Sequence, residues 1–382
     1  MGAMISHPTS PDSPDGDVRD RAPLEADLFE ARTRRLLDAV GNRLEEALRV
    51  VEDQLRFRHG LHAAPRAWRE LRHEAAALRR SMTGAHPLPL SRDVASDPGH
   101  PGRTPQVTPH LGPDAVLQAN VARAREAIRS LEEEYRRIDP QAGRSAERLR
   151  YRIYAHESAA LGFLARREKL ATARLYVLVT SHLAKGTAEQ VTQSALEGGA
   201  QVIQLREKEM EGREFLALAE RLRALTHAAG AVLIINDRVE IAALSGADGV
   251  HLGQGDILPL AARRILGPDA IIGLSTHEPA EAARAAVEGA DYIGVGPIHL
   301  TKTKEHREAV GLGYIAAAKE VSDLPAFAIG SVTRKTIDSV LEAGAERVAI
   351  CTGVIAEEDV RAAAEFYRTR LDAHARERSG VE

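Results

Sequence analysis

The pentapeptide Gln204-Leu205-Arg206-Glu207-Lys208 follows the short apolar run Val202-Ile203. In a strand, the two-residue period sets Gln204, Arg206 and Lys208 on one face and Leu205 on the other. That face would offer an amide able to grip the edge of a heterocycle and two cations able to hold a polyphosphate. A plain strand end with exposed charges has the same pattern. Further polar groups close later apolar runs: Asn236-Asp237 after Leu233-Ile234-Ile235, then Gly253-Gln254-Gly255-Asp256, Ser275-Thr276-His277, Thr301-Lys302-Thr303-Lys304, Gly330-Ser331 and Cys351-Thr352-Gly353. Asp237 and Asp256 are two carboxylates that, with an anionic ligand, could hold Mg²⁺. Each alone would serve equally as a helix N-cap. Gly330 and Thr352-Gly353 are small enough to let backbone N–H groups approach a phosphate oxygen, although tight turns use the same residues. Two anion-holding regions suggest a reaction joining a pyrophosphate to a monophosphate.

These groups need a scaffold that gathers strand ends. From about residue 172, strand-like runs recur at 175–180, 202–206, 232–237, 249–253, 271–276, 292–296, 326–331 and 348–353, with helical patterns between them. Gly199-Ala200, Gly246-Ala247, Gly289-Ala290 and Gly344-Ala345 stand where helix C-caps belong. Eight strands alternating with helices predict an α/β fold, a closed (β/α)8 TIM barrel over 172–375, whose reactive groups collect at the C-terminal strand ends. His251 lies inside the fourth run and reads as a barrel-filling histidine. His277 and His299 fall near the mouth, and Cys351 reads as a small apolar group rather than a nucleophile.

The first half has a different rhythm. Residues 1–26, with Pro8, Pro11, Pro14 and Pro23 among Ser, Asp and Gly, read as a disordered tail. Residues 27–168 read as a separate all-α domain, with helices at about 28–80, 114–138 and 146–166 and a Pro/Gly-rich loop at 83–113. Residues 37–56 repeat in 117–136, sharing Arg43/Arg123, Glu46/Glu126, Arg49/Arg129, Glu52/Glu132 and Arg56/Arg136. Each copy therefore carries an Arg/Glu stripe beside its apolar one. The stripes would either lace a bundle with surface ion pairs or face each other across a cleft.

Composition narrows the class. The formal charge of −4 over 382 residues argues against a general nucleic-acid binder. No apolar run approaches the roughly 20 residues of a membrane helix. One cysteine excludes an internal disulfide and a cysteine-based metal cluster. The polar N-terminus lacks a signal-peptide core, and its loose match to a myristoylation pattern is the kind six residues give by chance. The chain reads as cytoplasmic, acting on small molecules, and the sequence leaves room for a homo-oligomer.

Taken together, QLREK at 204–208, IND at 235–237, GVHLGQGD at 249–256, GLSTH at 273–277, GVGPIHLTKTK at 294–304 and AIG at 328–330 resemble thiamine-phosphate synthase. The resemblance implies condensation of hydroxymethylpyrimidine diphosphate with a thiazole phosphate, carboxylated or not, with release of pyrophosphate. It implies that Gln204 contacts the pyrimidine, that Arg206, Lys208 and Lys304 hold the pyrophosphate, and that Asn236 binds the diphosphate substrate. Asp237 and Asp256 would ligate Mg²⁺, and Ser275 would sit at the reacting centre. Thr301, Thr303, Gly330, Cys351 and Thr352 would hold the thiazole phosphate. Three departures stand out: Ser331 where a second glycine is usual, Cys351-Thr352 for Val-Ser, and Leu300 for Pro. A thiazole tautomerase-like barrel, or a non-catalytic sensor or scaffold, are the competing readings. The helical half resembles a domain fused ahead of this synthase in some bacteria, through Asn42-Arg43, 46–50, Glu52-Asp53, Arg92-Asp93, Asp97 and 120–132. That resemblance implies phosphorylation of the pyrimidine monophosphate, although the sequence contains no P-loop.

Overall fold

A computed structural model of the chain describes residues 21–59, 61, 64–83, 114–300 and 308–379, with side chains from residue 30. The stretch 84–113, which holds Arg92, Asp93 and Asp97, and most of the 1–26 stretch lie outside the described residues. The chain forms two compact units, Met1–Glu157 and Ser158–Glu382.

In the first unit, α1 (Arg21–Asp53) continues through a π-helical turn (Gln54–Arg58) and is followed by α2 (Ala64–Thr83), α3 (Ala115–Ile138) and α4 (Pro140–Ala171). Helix α1 starts inside the stretch read as a tail, and α4 exceeds its expected range at both ends. Pro140 stands at its first position, where a missing N–H costs nothing. Leu44, Leu48, Val51 and Leu55, with Val121, Ala124, Ile128 and Leu131, are buried as their three- and four-residue spacing requires.

The repeat has the same burial in both copies. Arg43/Arg123, Glu46/Glu126, Arg49/Arg129 and Arg56/Arg136 are exposed, whereas Glu52 and Glu132 are buried. Glu52 accepts from Arg69 Nε at 2.7 Å and Arg72 Nη2 at 3.2 Å. Glu132 accepts from Arg150 Nε, with Arg136 Nη2 at 2.6 Å and Arg129 Nη1 at 3.2 Å. The duplication thus extends to the next helix: the buried glutamate reaches an arginine 17 residues on in one copy and 18 in the other. Most of each stripe is a solvated face, and its one buried member is an internal tie.

Burial alone would raise the Glu52 pKa, but Arg69 and Arg72 more than offset this and hold it below its ordinary 4.5. A folded pKa below the unfolded one gives stability that is complete above the unfolded value and lost as pH falls through the folded value. Lowering the pH below about 4.5 is therefore expected to weaken this unit, and Glu52→Gln to remove that part of the dependence. Trp68, the only tryptophan and 2% exposed, reports on this unit by fluorescence. An acid profile identical in the two proteins would refute the assignment.

In the second unit, eight parallel strands close in chain order, β1 to β8, with β8 pairing back onto β1. They are β1 (Leu175–Val179), β2 (Val202–Leu205), β3 (Val232–Asn236), β4 (Gly249–Leu252), β5 (Ile271–Thr276), β6 (Tyr292–Val295), β7 (Ala326–Ile329) and β8 (Val348–Ile350). Alternation sorts the side chains into two cores. Leu175, Val177, Val179, Ile203, Leu205, Leu233 and Ile235 pack outward with the helices, and Tyr176, Leu178, Val202, Val232, Ile234, Tyr292 and Phe327 fill the interior.

The last part of α4, from Ser158, belongs to this unit and brings Leu170 into the interior core. Arg166, 6% exposed, donates to Asp291 at 2.8 Å and to the Pro268 carbonyl. Among the described residues, no helix is long and apolar enough to cross a membrane.

Candidate active site

The C-terminal strand ends surround a cavity of about 140 Å³. Strand β2 supplies its cation. Gln204 lies beside Leu178 of β1 and Ile234 of β3, facing inward, and Arg206 follows one period later with its N–H bonded to Val179 O at 2.9 Å. Arg206 is 5% exposed, lines the cavity, and has no carboxylate partner among the described residues. A buried guanidinium without a counter-ion is costly unless an anion arrives. Asn236 at the end of β3 and Ser275 near the end of β5 line the same space.

A hydrogen-bonded chain crosses the floor. Gln204 Nε2 donates to Tyr176 Oη at 2.7 Å, and Tyr176 Oη lies 2.9 Å from Tyr292 Oη. Tyr292 Oη is 3.1 Å from His251 Nδ1, and His251 Nε2 is 2.9 Å from Ser275 Oγ. Gln254 Nε2 donates to Ser275 O at 2.7 Å, fixing the strand end behind it. Burial raises the pKa of both tyrosines, so both stay protonated at neutral pH. Gly273 makes room for this chain, since a Cβ there would lie 2.4 Å from Tyr292 Oη and 2.5 Å from His251 Nδ1.

The carboxylates stand on the rim. Asp237 follows β3 in the left-handed region, φ 61°, which Asp tolerates better than most residues, and its N–H donates to His251 O at 2.9 Å. Asp256 closes a turn after β4, its Oδ2 accepting from Gly253 N–H at 2.6 Å. Both are carboxylates in the segments that follow adjacent strands, and carboxylate oxygens are donors Mg²⁺ prefers. Among the described residues no group of three or more His, Cys, Asp or Glu converges on one point. A set of two carboxylates fits an ion that takes its remaining oxygens from substrate and water.

The opposite wall is built for close approach. A Cβ on Gly330 would lie 2.6 Å from Pro297 Cα, and its φ of 110° belongs to glycine. Ser331 follows at φ 49°, its Oγ donating to Leu300 O at 2.6 Å. The second glycine usual here in the resembled family thus has a backbone reason, and the serine keeps that left-handed conformation. Burial pushes the Cys351 thiol up to about 11, which leaves it a protonated packing group.

The cavity brings together Gln204, Arg206, Asn236, Ser275, Gly330, Cys351 and Thr352. Lys208, Asp237 and Asp256 are not among its lining residues, and Lys208 and Asp256 are exposed. Thr301, Thr303 and Lys304 lie outside the described residues. His251 does fill the barrel, but it also lines the site. His277 has partners the sequence did not reveal: its Nδ1 bonds the Gly296 carbonyl, and its N–H donates to Glu281 Oε2 at 2.7 Å. Sequence reasoning missed Tyr176 and Tyr292. The available signal was a polar-tipped aromatic at the inward positions of strands otherwise aliphatic, since a buried tyrosine hydroxyl seeks a partner.

Residues 175–354 match the family model described as thiamine monophosphate synthase, and residues 35–159 match that of the ThiD2 family. A thiamine-phosphate synthase of Gloeobacter violaceus is 42% identical over 341 residues, covering 88% of this chain and 96% of the relative. One from a Nostoc species is 40% identical over 340 residues, covering 88% and 94%. The solved thiamine phosphate pyrophosphorylase of Pyrococcus furiosus superposes with a TM-score of 0.50 at 34% identity, covering 55% of this chain and 98% of its own.

Proposed function

The chain belongs to the thiamine-phosphate synthase family, a transferase of thiamine biosynthesis, and from that premise we propose how its residues divide the work. The substrates are 4-amino-2-methyl-5-hydroxymethylpyrimidine diphosphate and a thiazole phosphate, and the products are thiamine phosphate and pyrophosphate. The observation that carries this reading is the inward, buried Arg206, uncountered among the described residues, beside Gln204, Asn236 and Ser275. An anion is what such a cation lacks.

Arg206 and Asn236 hold the diphosphate, with Lys208 and Lys304 as further cations for it. Gln204 grips the pyrimidine edge, and Ser275 stands at the reacting carbon. Asp237 and Asp256 hold Mg²⁺, which supplies charge neutralisation for the departing pyrophosphate. Gln204, Arg206 and Asn236 are held at strand ends before the reaction, so they stabilise developing charge without reorganising. The thiazole nitrogen then captures the pyrimidine-methyl cation, and no general base is required. Gly330, Cys351 and Thr352, with Thr301 and Thr303, hold the thiazole phosphate.

The full chain incubated with both substrates is expected to form thiamine phosphate when Mg²⁺ is present and to stop when it is chelated. Ligand binding without product at any Mg²⁺ concentration would instead identify a sensor or scaffold. Thiazole isomerisation without coupling would identify a tautomerase. For the helical unit, the ThiD2 match supports phosphorylation of the pyrimidine monophosphate. The full chain with ATP and that monophosphate should then yield the diphosphate, and none formed would reject the reading.

A further inference from the structure

We propose that the buried pair Tyr176–Tyr292 is a positioning device that fixes the direction of the hydrogen-bonded chain, so that the Ser275 hydroxyl keeps its own hydrogen for a lone-pair acceptor on the ligand. The argument starts at the amide end. Gln204 Nε2 is a donor, so Tyr176 Oη accepts from it at 2.7 Å. The Tyr176 hydroxyl hydrogen then goes to Tyr292 Oη at 2.9 Å. Tyr292, having accepted, donates to His251 Nδ1 at 3.1 Å. A neutral imidazole that accepts at Nδ1 carries its hydrogen on Nε2 and donates it to Ser275 Oγ at 2.9 Å. Ser275 Oγ has no other partner among the described residues, so its own hydrogen is left for the cavity.

With the Gln204 amide oriented as it stands, Nε2 toward Tyr176, the reverse direction fails at one atom. If Ser275 donated to His251 and each bond were turned round, Tyr176 Oη would accept from both Gln204 and Tyr292. Its own hydrogen would then be buried with no acceptor among the described residues, a penalty with no compensation. The rings cannot easily turn to escape. Phe327 packs edge-on against both, at centroid distances of 5.2 Å and 5.5 Å, and Gly273 leaves no spare room beside Tyr292 and His251. Burial keeps both phenols protonated, so the chain retains the hydrogens it needs.

A serine whose hydrogen is free for the ligand is a specificity element. It can donate to a ring nitrogen or a diphosphate oxygen at that point, which a serine that gave its hydrogen to His251 could not. This rests on the reading of Gln204 and Ser275 as ligand contacts, and its test has an arm that does not. In ¹⁵N-labelled full-length protein at neutral pH, with His251 assigned by its loss in His251→Gln, Nε2 is expected to be the protonated nitrogen and Nδ1 the bare one. Protonation at Nδ1 instead would overturn the proposal whatever the enzyme does. Tyr292→Phe is then expected to populate the other tautomer and to raise KM for the pyrimidine diphosphate roughly tenfold, the worth of one good hydrogen bond. KM for the thiazole phosphate should not move, whereas general loosening of the barrel would raise both. Unchanged kinetics and tautomer in Tyr292→Phe would also overturn the proposal. Should that variant not fold, the tautomer of His251 in the wild-type protein decides the proposal by itself. Binding of hydroxymethylpyrimidine alone and of magnesium pyrophosphate alone to wild type and Tyr292→Phe shows which moiety supplies the acceptor, and equal affinities in both proteins for both probes would count against it. A wild-type protein with no turnover would defeat the assigned function, while the tautomer would still decide the relay.

Discussion

Asp256→Ala is expected to slow coupling by on the order of 10²-fold or more at fixed Mg²⁺, the scale on which one electrostatic partner of a departing anion acts. Asp256 has two tasks that this variant removes together. Its Oδ2 accepts from Gly253 N–H at 2.6 Å and holds the turn after β4, and its charge would hold the metal. Asp256→Asn separates them, because an amide oxygen still accepts from Gly253 but brings no charge. If the metal role dominates, the Asn variant stays slow and recovers in part as Mg²⁺ is raised. If the turn dominates, the Asn variant is nearly as fast as wild type and its Mg²⁺ dependence is unchanged. Wild-type rates in Asp256→Ala would remove the residue from the metal site altogether.

Glu132→Ala is expected to cost the helical unit about 3–5 kcal/mol, the usual loss when one partner of a buried ion pair is deleted. Glu132 is 0% exposed and Arg150 only 9%, so the variant leaves a guanidinium with little water to replace its partner. Glu52→Ala removes the equivalent carboxylate of the first repeat and should cost less. Its partners Arg69 and Arg72 have side chains 47% and 23% exposed and can be hydrated in place. Adding Arg150→Met to Glu132→Ala should recover part of the loss, because an apolar side chain of similar length needs no counter-ion. Denaturant unfolding followed by Trp68 fluorescence reads this unit by itself. Equal losses for Glu52→Ala and Glu132→Ala would mean that the exposure of the partners does not set the cost.

The amino-acid sequence by itself determined the barrel, because eight apolar runs of period two separated by capped helices have few other ways to bury both faces. It determined the inward face of β2 as well: with Leu205 packed outward, Gln204 and Arg206 have to face in. It also marked Glu52 and Glu132 as equivalent, through a repeat spacing that a helix pair preserves. Only the tertiary structure decided which stripe member is buried, since period 3.6 fixes a direction around a helix but not what stands there. Tyr176, Tyr292, His251 and Ser275 lie on four different strands, so no local pattern links them, and their chain of hydrogen bonds exists only once the barrel closes. The left-handed turn at Ser331 belongs to the same class. Its backbone angle is imposed by the close passage of Gly330 against Pro297, a contact between segments that the sequence holds more than 30 residues apart.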